Sequence, residues 1–292
     1  MTILDDIKQQ YRYGGLLQKL IFWNIGVFIL SIILFRSFSQ GRFIYPDWLG
    51  LSSSWEMALP YFWTFLTYSF FHGGFWHLVF NMIVLNFSGR LFLTFFTEKQ
   101  LLGTYTLGAV FSGIIYVLAY SLFPLGNALL VGASASIMAI LFATVSYAPL
   151  MSIRLLLIGY VKLWHIAAVI LVLDILQIGL SNTGGHISHL AGALFGFLFV
   201  FLLKKGMDLS RVTDFVFTLF SKKKSRKKYT PFKKVHINKA PKAPKPKPKM
   251  TYTAIRAKNK KQKQIDDILD KISRSGYDSL TKEEKDFLFQ QK

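Results

Sequence analysis

Six apolar runs between residues 20 and 203 constrain this chain more than any other feature in it. Lipid supplies no hydrogen bonds, so the backbone of a segment buried at that depth must satisfy its own polar groups, as a helix does. The runs are Leu20–Phe35, Trp76–Phe96, about Leu101 to Phe123, Ser134 to about Tyr147, Leu163–Leu180 and His186–Leu203. Most approach the roughly 20 residues that a helix needs to cross a bilayer, and Leu16 and Leu17 extend the first. The fourth is too short to span unless the turn before it dips into the membrane, and irregular backbone at that depth is tolerated only inside protein or against a water-filled cavity. The expected fold class is all-α: a polytopic membrane protein built on a six-transmembrane-helix bundle.

Composition divides the chain. Of the formal net charge of +20, most lies beyond residue 205, and from Lys204 to Lys263 the only acids are Asp208 and Asp214. The reading is a six-helix membrane domain over 1–205, a basic and mostly disordered linker over 206–263, and a small helical hairpin over 264–292. Prolines 241, 244, 246 and 248 and the lysine density leave the linker nothing to bury. Leu209–Phe220 reads as an amphipathic interfacial helix. In the hairpin, Ile265, Ile268, Leu269 and Ile272 recur at helical spacing, Gly276 stops that helix, and Thr281 with Glu284 forms a capping box for the next. The first apolar run lacks a small-residue cleavage site and reads as a retained anchor. Residues 37–60 hold Phe43, Tyr45, Trp48 and Trp55 among breakers, the pattern of an interfacial loop.

Loops on the N-terminal side carry Arg90, Lys99, Arg154 and Lys162, whereas 124–133 and 181–185 carry no Lys or Arg and 37–60 only Arg42. The positive-inside rule then places both termini in the cytoplasm, with a bacterial inner membrane as the expected location. The basic tail beside such a membrane is expected to attract anionic lipid headgroups in preference to nucleic acid, for which it offers few aromatics and no recognised fold. With no cysteine in the chain, disulfides and thiolate metal sites are excluded.

Three polar constellations fall toward one face. Ser134 follows the Gly132-Ala133 turn at the head of the fourth run, His189 opens the sixth, and His77 and Asn81 lie one helical turn apart on the second. A serine hydroxyl needs a base to become a nucleophile, and imidazole has a suitable pKa. A tetrahedral intermediate needs donors aimed at its oxyanion, which His77 and Asn81 can supply. His189, Gly192 and Gly196 share a helix face, and Gly192-x-x-x-Gly196 is the small-residue pattern that lets membrane helices approach closely. Ala135, Ala139 and Ala143 form a matching stripe on the fourth run. Asp174 lies inside the fifth run, where an acid is costly and marks function by default; no partner is assigned to it.

These residues resemble the motifs of the rhomboid family of intramembrane serine proteases. The family patterns H-x-x-x-N, G-x-S-G and H-x-x-G-x-x-x-G read here as His77-Leu-Val-Phe-Asn81, Gly132-Ala-Ser134-Ala135 and His189-Leu-Ala-Gly192-Ala-Leu-Phe-Gly196. The resemblance spans roughly residues 15–205. It implies a Ser134 nucleophile with His189 as base in a dyad without a carboxylate. It also implies an oxyanion hole of His77, Asn81 and the Ser134 N–H, with His72, Gly132, Gly192 and Gly196 in support. The 182–185 segment would be a mobile cap and the fifth span a candidate lateral gate. The expected activity is serine endopeptidase cleavage in or near transmembrane segments of protein substrates, with no metal or organic cofactor. The hairpin is similar to a C-terminal module of some rhomboids of the Bacteroidetes type, with an unknown partner. Ala135 replaces the family's glycine.

Two other readings stand beside this one. A non-catalytic rhomboid-like protein would bind transmembrane helices without cutting them; such relatives lose the serine or the histidine, and this chain keeps both. A transporter would show inverted repeats, and no clear repeat is visible. His186, three residues before His189, lacks the glycine context that favours His189 as base. There is no H-E-x-x-H for a zinc protease.

Overall fold

The computed structural model describes residues 2–37, 39–155, 158–213 and 252–290, in two compact units, Met1–Lys224 and Ser225–Lys292. In the first unit, helix α1 (Ile3–Tyr13) starts at a Thr2–Asp5 capping box. It is followed by α2 (Leu16–Phe35), the antiparallel strands β1 (Arg36–Ser37) and β2 (Arg42–Phe43), and β3 (Leu51–Ser52). The short helices α3 (Trp55–Ala58) and α4 (Thr64–Thr67) lead into α5 (Phe75–Phe92) and α6 (Glu98–Leu122). Strand β4 (Leu129–Leu130) precedes α7 (Ser134–Tyr147), the hairpin β5 (Ser152–Leu155) and β6 (Gly159–Lys162), then α8 (Leu163–Gln177) and α9 (Thr183–Lys204).

The six expected runs are thus α2 and α5 through α9. By length and composition α2, α6 and α9 can cross a membrane, while α7 and α8 are apolar but shorter, at 14 and 15 residues. Hydropathy misplaces some ends. Helix α6 begins before Leu101 because Thr97 and Gln100 form a capping box, a polar start signal that apolar periodicity passes over. Helix α9 begins at Thr183, so the expected loop over 182–185 is instead largely its first turn. Asn182 takes a left-handed conformation (φ 45°), one that a short polar side chain tolerates, and starts the helix there. Gly184 packs so closely on α6 that an added Cβ would stand 2.6 Å from the Tyr116 ring.

Helix α7 is the hub. Every residue from Ala135 to Thr144 is buried, the pattern of a helix enclosed on all sides. Helices α5, α6, α8 and α9 surround it. Closeness is set by glycine: Gly192 of α9 lies against the Ala135 carbonyl and Gly196 against the Ala139 carbonyl, while a Cβ on Gly108 of α6 would be 2.7 Å from Ala139 Cβ. At one end of the bundle the Leu16 N–H donates to Glu98 Oε1, Gln100 Nε2 donates to Asp208 Oδ2, and the Lys204 ammonium stands over the Tyr147 ring. The 37–60 segment packs at the other end. There β3 pairs with β4, and Ser53 exchanges hydrogen bonds with the Ala128 backbone. The interfacial helix expected over 209–220 is described only for its first residues, helical over 210–213. Its remainder and most of the expected linker lie outside the described residues.

In the second unit, α10 (Tyr252–Ser275) starts well before the expected hairpin boundary at 264. The correction has a local cause: no proline follows Pro248, and the Ala, Arg, Lys and Gln residues there are good helix formers. Gly276 (φ 78°) turns the chain, and Thr281 and Glu284 cap α11 (Lys282–Phe289) as their spacing predicts. Ile268 and Leu280 are buried, and Lys271 Nζ donates to Glu284 at 2.8 Å. The Lys271 ammonium, and secondarily the Thr281 N–H, hold the Glu284 carboxyl below its ordinary value of 4.5. A depressed carboxyl stabilises the fold above the unfolded value, and that contribution is lost as pH falls through the folded one. Amide protection over residues 265–290 of the full-length chain, corrected for intrinsic exchange, is therefore expected to fall as pH drops below 4.5. The loss should be smaller in Lys271→Ala.

Candidate active site

A cavity of about 890 Å³ lies among α5, α7, α8 and α9 and is lined by Ser134, His189, His77 and Asn81, together with Asp174 and His186. The four residues that the sequence assigns to nucleophile, base and oxyanion donors therefore share one chamber. Trp76, Phe80 and Leu173 also line it and are largely exposed, so its rim on α5 and α8 is apolar.

Ser134 is the first residue of α7, immediately after the turn at Gly132 and Ala133. The turn is pinned by a hydrogen bond from the Gly132 N–H to the Tyr68 carbonyl (3.0 Å) and, one step back, by the β3–β4 pairing. Gly132 has φ 136°, and a Cβ there would lie 2.9 Å from His77 Cε1, so both conformation and space require glycine. The same point is 3.0 Å from His77 Nε2 and 3.6 Å from Ser134 Oγ, which places the two groups around one spot. The Ser134 N–H belongs to the first turn of α7, where backbone donors have no intrahelical acceptor and the helix end is electropositive.

Hydrogen bonds assign the two imidazoles opposite tautomers. The Gly73 N–H donates to His77 Nδ1 (3.3 Å), which leaves the His77 proton on Nε2, the atom facing Gly132 and Ser134. His189 turns Nδ1 to Asp174 Oδ1 (2.9 Å); a carboxylate only accepts, so His189 carries its proton there and Nε2 keeps a free lone pair. One ring is thus a donor and the other a base. Asn81 Nδ2 donates to the His77 carbonyl (2.7 Å), and its second amide hydrogen is available to the cavity.

His72 is fully buried outside the cavity lining, its ring 5.3 Å from that of His77, and Tyr45 Oη donates to its carbonyl (2.8 Å). His186, set aside by the sequence as the base, also lines the cavity and brings Nδ1 to Asp174 Oδ1 (2.8 Å). Asp174 and the two histidines have ligand-capable atoms within 4.8 Å of one another, and in size the cluster could accept a divalent cation. Ala135 is buried, and the approach of Gly192 is to its carbonyl rather than its methyl. The departure from the family glycine therefore leaves the contact between α7 and α9 in place.

The apolar bundle thus gathers Ser134, His189, His77 and Asn81 around one cavity. A family model for the Rhomboid domain matches residues 60–206, about half of the chain, and the chain belongs to the rhomboid family of integral membrane proteins. Residues 256–290, which cover the hairpin, match a family of unknown function, DUF6576. A search of curated proteins found no significant match.

Sequence reasoning missed three contributions. Gly73 supplies a backbone N–H that no motif marks. The 51–53 segment braces the turn before Ser134, although it reads as part of an interfacial loop. The partners of Asp174 went unassigned, yet a signal existed: α8 and α9 are joined by residues 178–182, and antiparallel helices joined by so short a link bring positions equidistant from it together.

Proposed function

We propose that this rhomboid-family protein is an intramembrane serine endopeptidase that cleaves peptide bonds in or near transmembrane segments of other proteins. The observation that carries the reading is the pair of opposite histidine tautomers about Ser134, one a donor and one a base. Ser134 Oγ attacks the scissile carbonyl while His189 Nε2 takes its proton. His77 Nε2–H, the Asn81 amide and the Ser134 N–H receive the oxyanion. Collapse expels the amine, which takes the proton from His189, and leaves an acyl-enzyme. A water, deprotonated by the same imidazole, then releases the acid and restores the serine. The apolar rim suits entry of a substrate helix from the lipid. Both termini face the cytoplasm in this reading, and the basic tail lies against anionic headgroups.

The test is cleavage of a single-span substrate panel in proteoliposomes by wild type and Ser134→Ala, each checked for insertion. Cleavage that disappears in Ser134→Ala supports the proposal. A wild type that cuts nothing but retains bound helices favours the non-catalytic binding reading instead. Within the active protein, His77→Ala is expected to lower kcat by about 100- to 1,000-fold with little change in KM, the usual effect of losing an oxyanion donor. Asn81→Ala should lose less, because one of its amide hydrogens is already committed to the His77 carbonyl. A KM increase with kcat intact in His77→Ala would remove His77 from the oxyanion hole.

A further inference from the structure

We propose that Asp174 is a positioning residue for His189, so that the centre works as a serine–imidazole–carboxylate set whose third member is carried by α8. The proposal rests on the protease reading above and departs from the carboxylate-free dyad that the family resemblance implies.

The argument begins with location. Asp174 is 6 % exposed and sits in the apolar helix α8, where its neighbours Leu173, Ile175 and Leu176 face outward. An ionised acid is costly at such a position and persists only with partners. Its partners are both on α9, three residues apart and hence on one face: His186 Nδ1 at 2.8 Å and His189 Nδ1 at 2.9 Å, converging on the same oxygen, Oδ1. Neutral imidazole carries one proton. Fixing it on Nδ1 leaves His189 Nε2 as the ring's only acceptor, the nitrogen a serine must use. From α5, His77 faces the same cavity, and from α7, Ser134; neither offers a carboxylate, so Asp174 is the acid within reach of the base among the described residues.

The second donor matters as well. With His189 alone, Oδ1 could swing with the χ2 of Asp174. His186, 8 % exposed, brings Nδ1 to the same oxygen and limits that swing.

Placing the carboxylate on α8 couples the base to that helix. The buried residues of α8 are Leu163, Ala167 and Asp174, one narrow stripe, so Asp174 is the buried fastening of its second half. When α8 stands away from α9, His189 loses the group that fixes its tautomer. The base is fully set only with α8 in place.

The experiment uses full-length protein in proteoliposomes and compares wild type with Asp174→Asn and Asp174→Glu. For each, kcat and KM on a single-span substrate are measured beside the rate of Ser134 labelling by a fluorophosphonate and the thermal midpoint. Asparagine keeps the shape but not the negative charge, so the imidazolium formed as His189 takes the serine proton loses its counter-ion, and an amide turned about χ2 would present N–H to Nδ1 and favour the wrong tautomer; its kcat should fall ~100-fold or more at nearly unchanged KM, with labelling slowed in parallel. Glutamate restores an acceptor and should recover much of that rate, as a structural fastening sensitive to side-chain length would not. The proposal is overturned if Asp174→Asn keeps kcat within about threefold, a change too small for a lost carboxylate. It is also overturned if both variants slow equally in step with a lowered thermal midpoint. Wild-type activity abolished by a chelator and restored by zinc, with zinc bound by wild type but not by Asp174→Asn, would make the cluster a metal site instead. A wild type that neither cleaves nor labels removes the protease reading itself. That result is distinct from an active wild type with a fully active Asp174→Asn.

Discussion

The double variant Ser134→Ala/His189→Ala is expected to cleave no more slowly than either single variant, each of which should lose on the order of 10⁴-fold or more in kcat. The reason is that the two side chains act as one unit. Imidazole at residue 189 contributes by removing the Oγ proton and returning it to the leaving amine; with no hydroxyl at residue 134 there is nothing for it to act on. The hydroxyl without a base stays protonated and attacks slowly. The remaining rate in all three variants then comes from the oxyanion donors and from holding the peptide in place, and is common to them. Single-turnover cleavage in proteoliposomes, with insertion verified for each variant, measures this. Losses that multiply in the double variant would mean independent roles, and His189 would not be the base for Ser134.

Gly192→Leu should abolish cleavage while leaving the chain inserted in the membrane. A Cβ at residue 192 would overlap the Ala135 carbonyl, and one at residue 196 would overlap the Ala139 carbonyl and lie 2.7 Å from the Ala143 nitrogen. These obstacles are backbone atoms of a helix enclosed on every side, so no side chain can swing away and the helices must part. Overpacking of this kind costs about 1–3 kcal/mol, and more where the neighbour is rigid. Leucine is at least as apolar as glycine, so insertion is not penalised. What is lost is alignment of Ser134, next to the contact, with His189, one turn before it. Gly196→Leu acts one turn further from the site. It should lower the thermal midpoint comparably and spare more of the rate in whatever fraction stays folded. Cleavage, midpoint and membrane extraction measured on both variants separate these effects. A fully active Gly192→Leu would mean that α7 and α9 do not need this approach.

Much of this arrangement was legible before any coordinates. Lipid allows little but helices, so six apolar runs specify most of the bundle, and the small residues at 192, 196, 135, 139 and 143 mark which helices touch. Side-chain types at residues 134, 189, 77 and 81 carry the proposed chemistry, and the structure gathers all four around one cavity. Tautomers were not legible, because they depend on what the remote nitrogen meets. For His77 that is a backbone N–H without a sequence signature, and for His189 an acid on another helix. Helix starts were misread where something other than apolar periodicity marks them: a capping box at Thr97, and a left-handed residue at Asn182. The extent of α10 was misread for the opposite reason: lysine density suggests a chain with nothing to bury, yet intrinsic propensity still favours a helix once the prolines end.

The shortness of α7 has a consequence for what its serine can reach. Fourteen residues rise about 21 Å, against a hydrocarbon layer of about 30 Å. Its last turn lies where Lys204 stands over the Tyr147 ring, and the chain runs on into the charged β5–β6 hairpin, so that end is at a polar boundary. With α7 along the bilayer normal, Ser134 stops about 9 Å short of the opposite boundary, by the same rise per residue. The helix acts as a depth gauge. In the proposed protease, a peptide bond would be presented to Ser134 according to how far it lies from the membrane edge, before any side chain beside it is read. Bilayers of different thickness would then shift the point of scission along one and the same substrate.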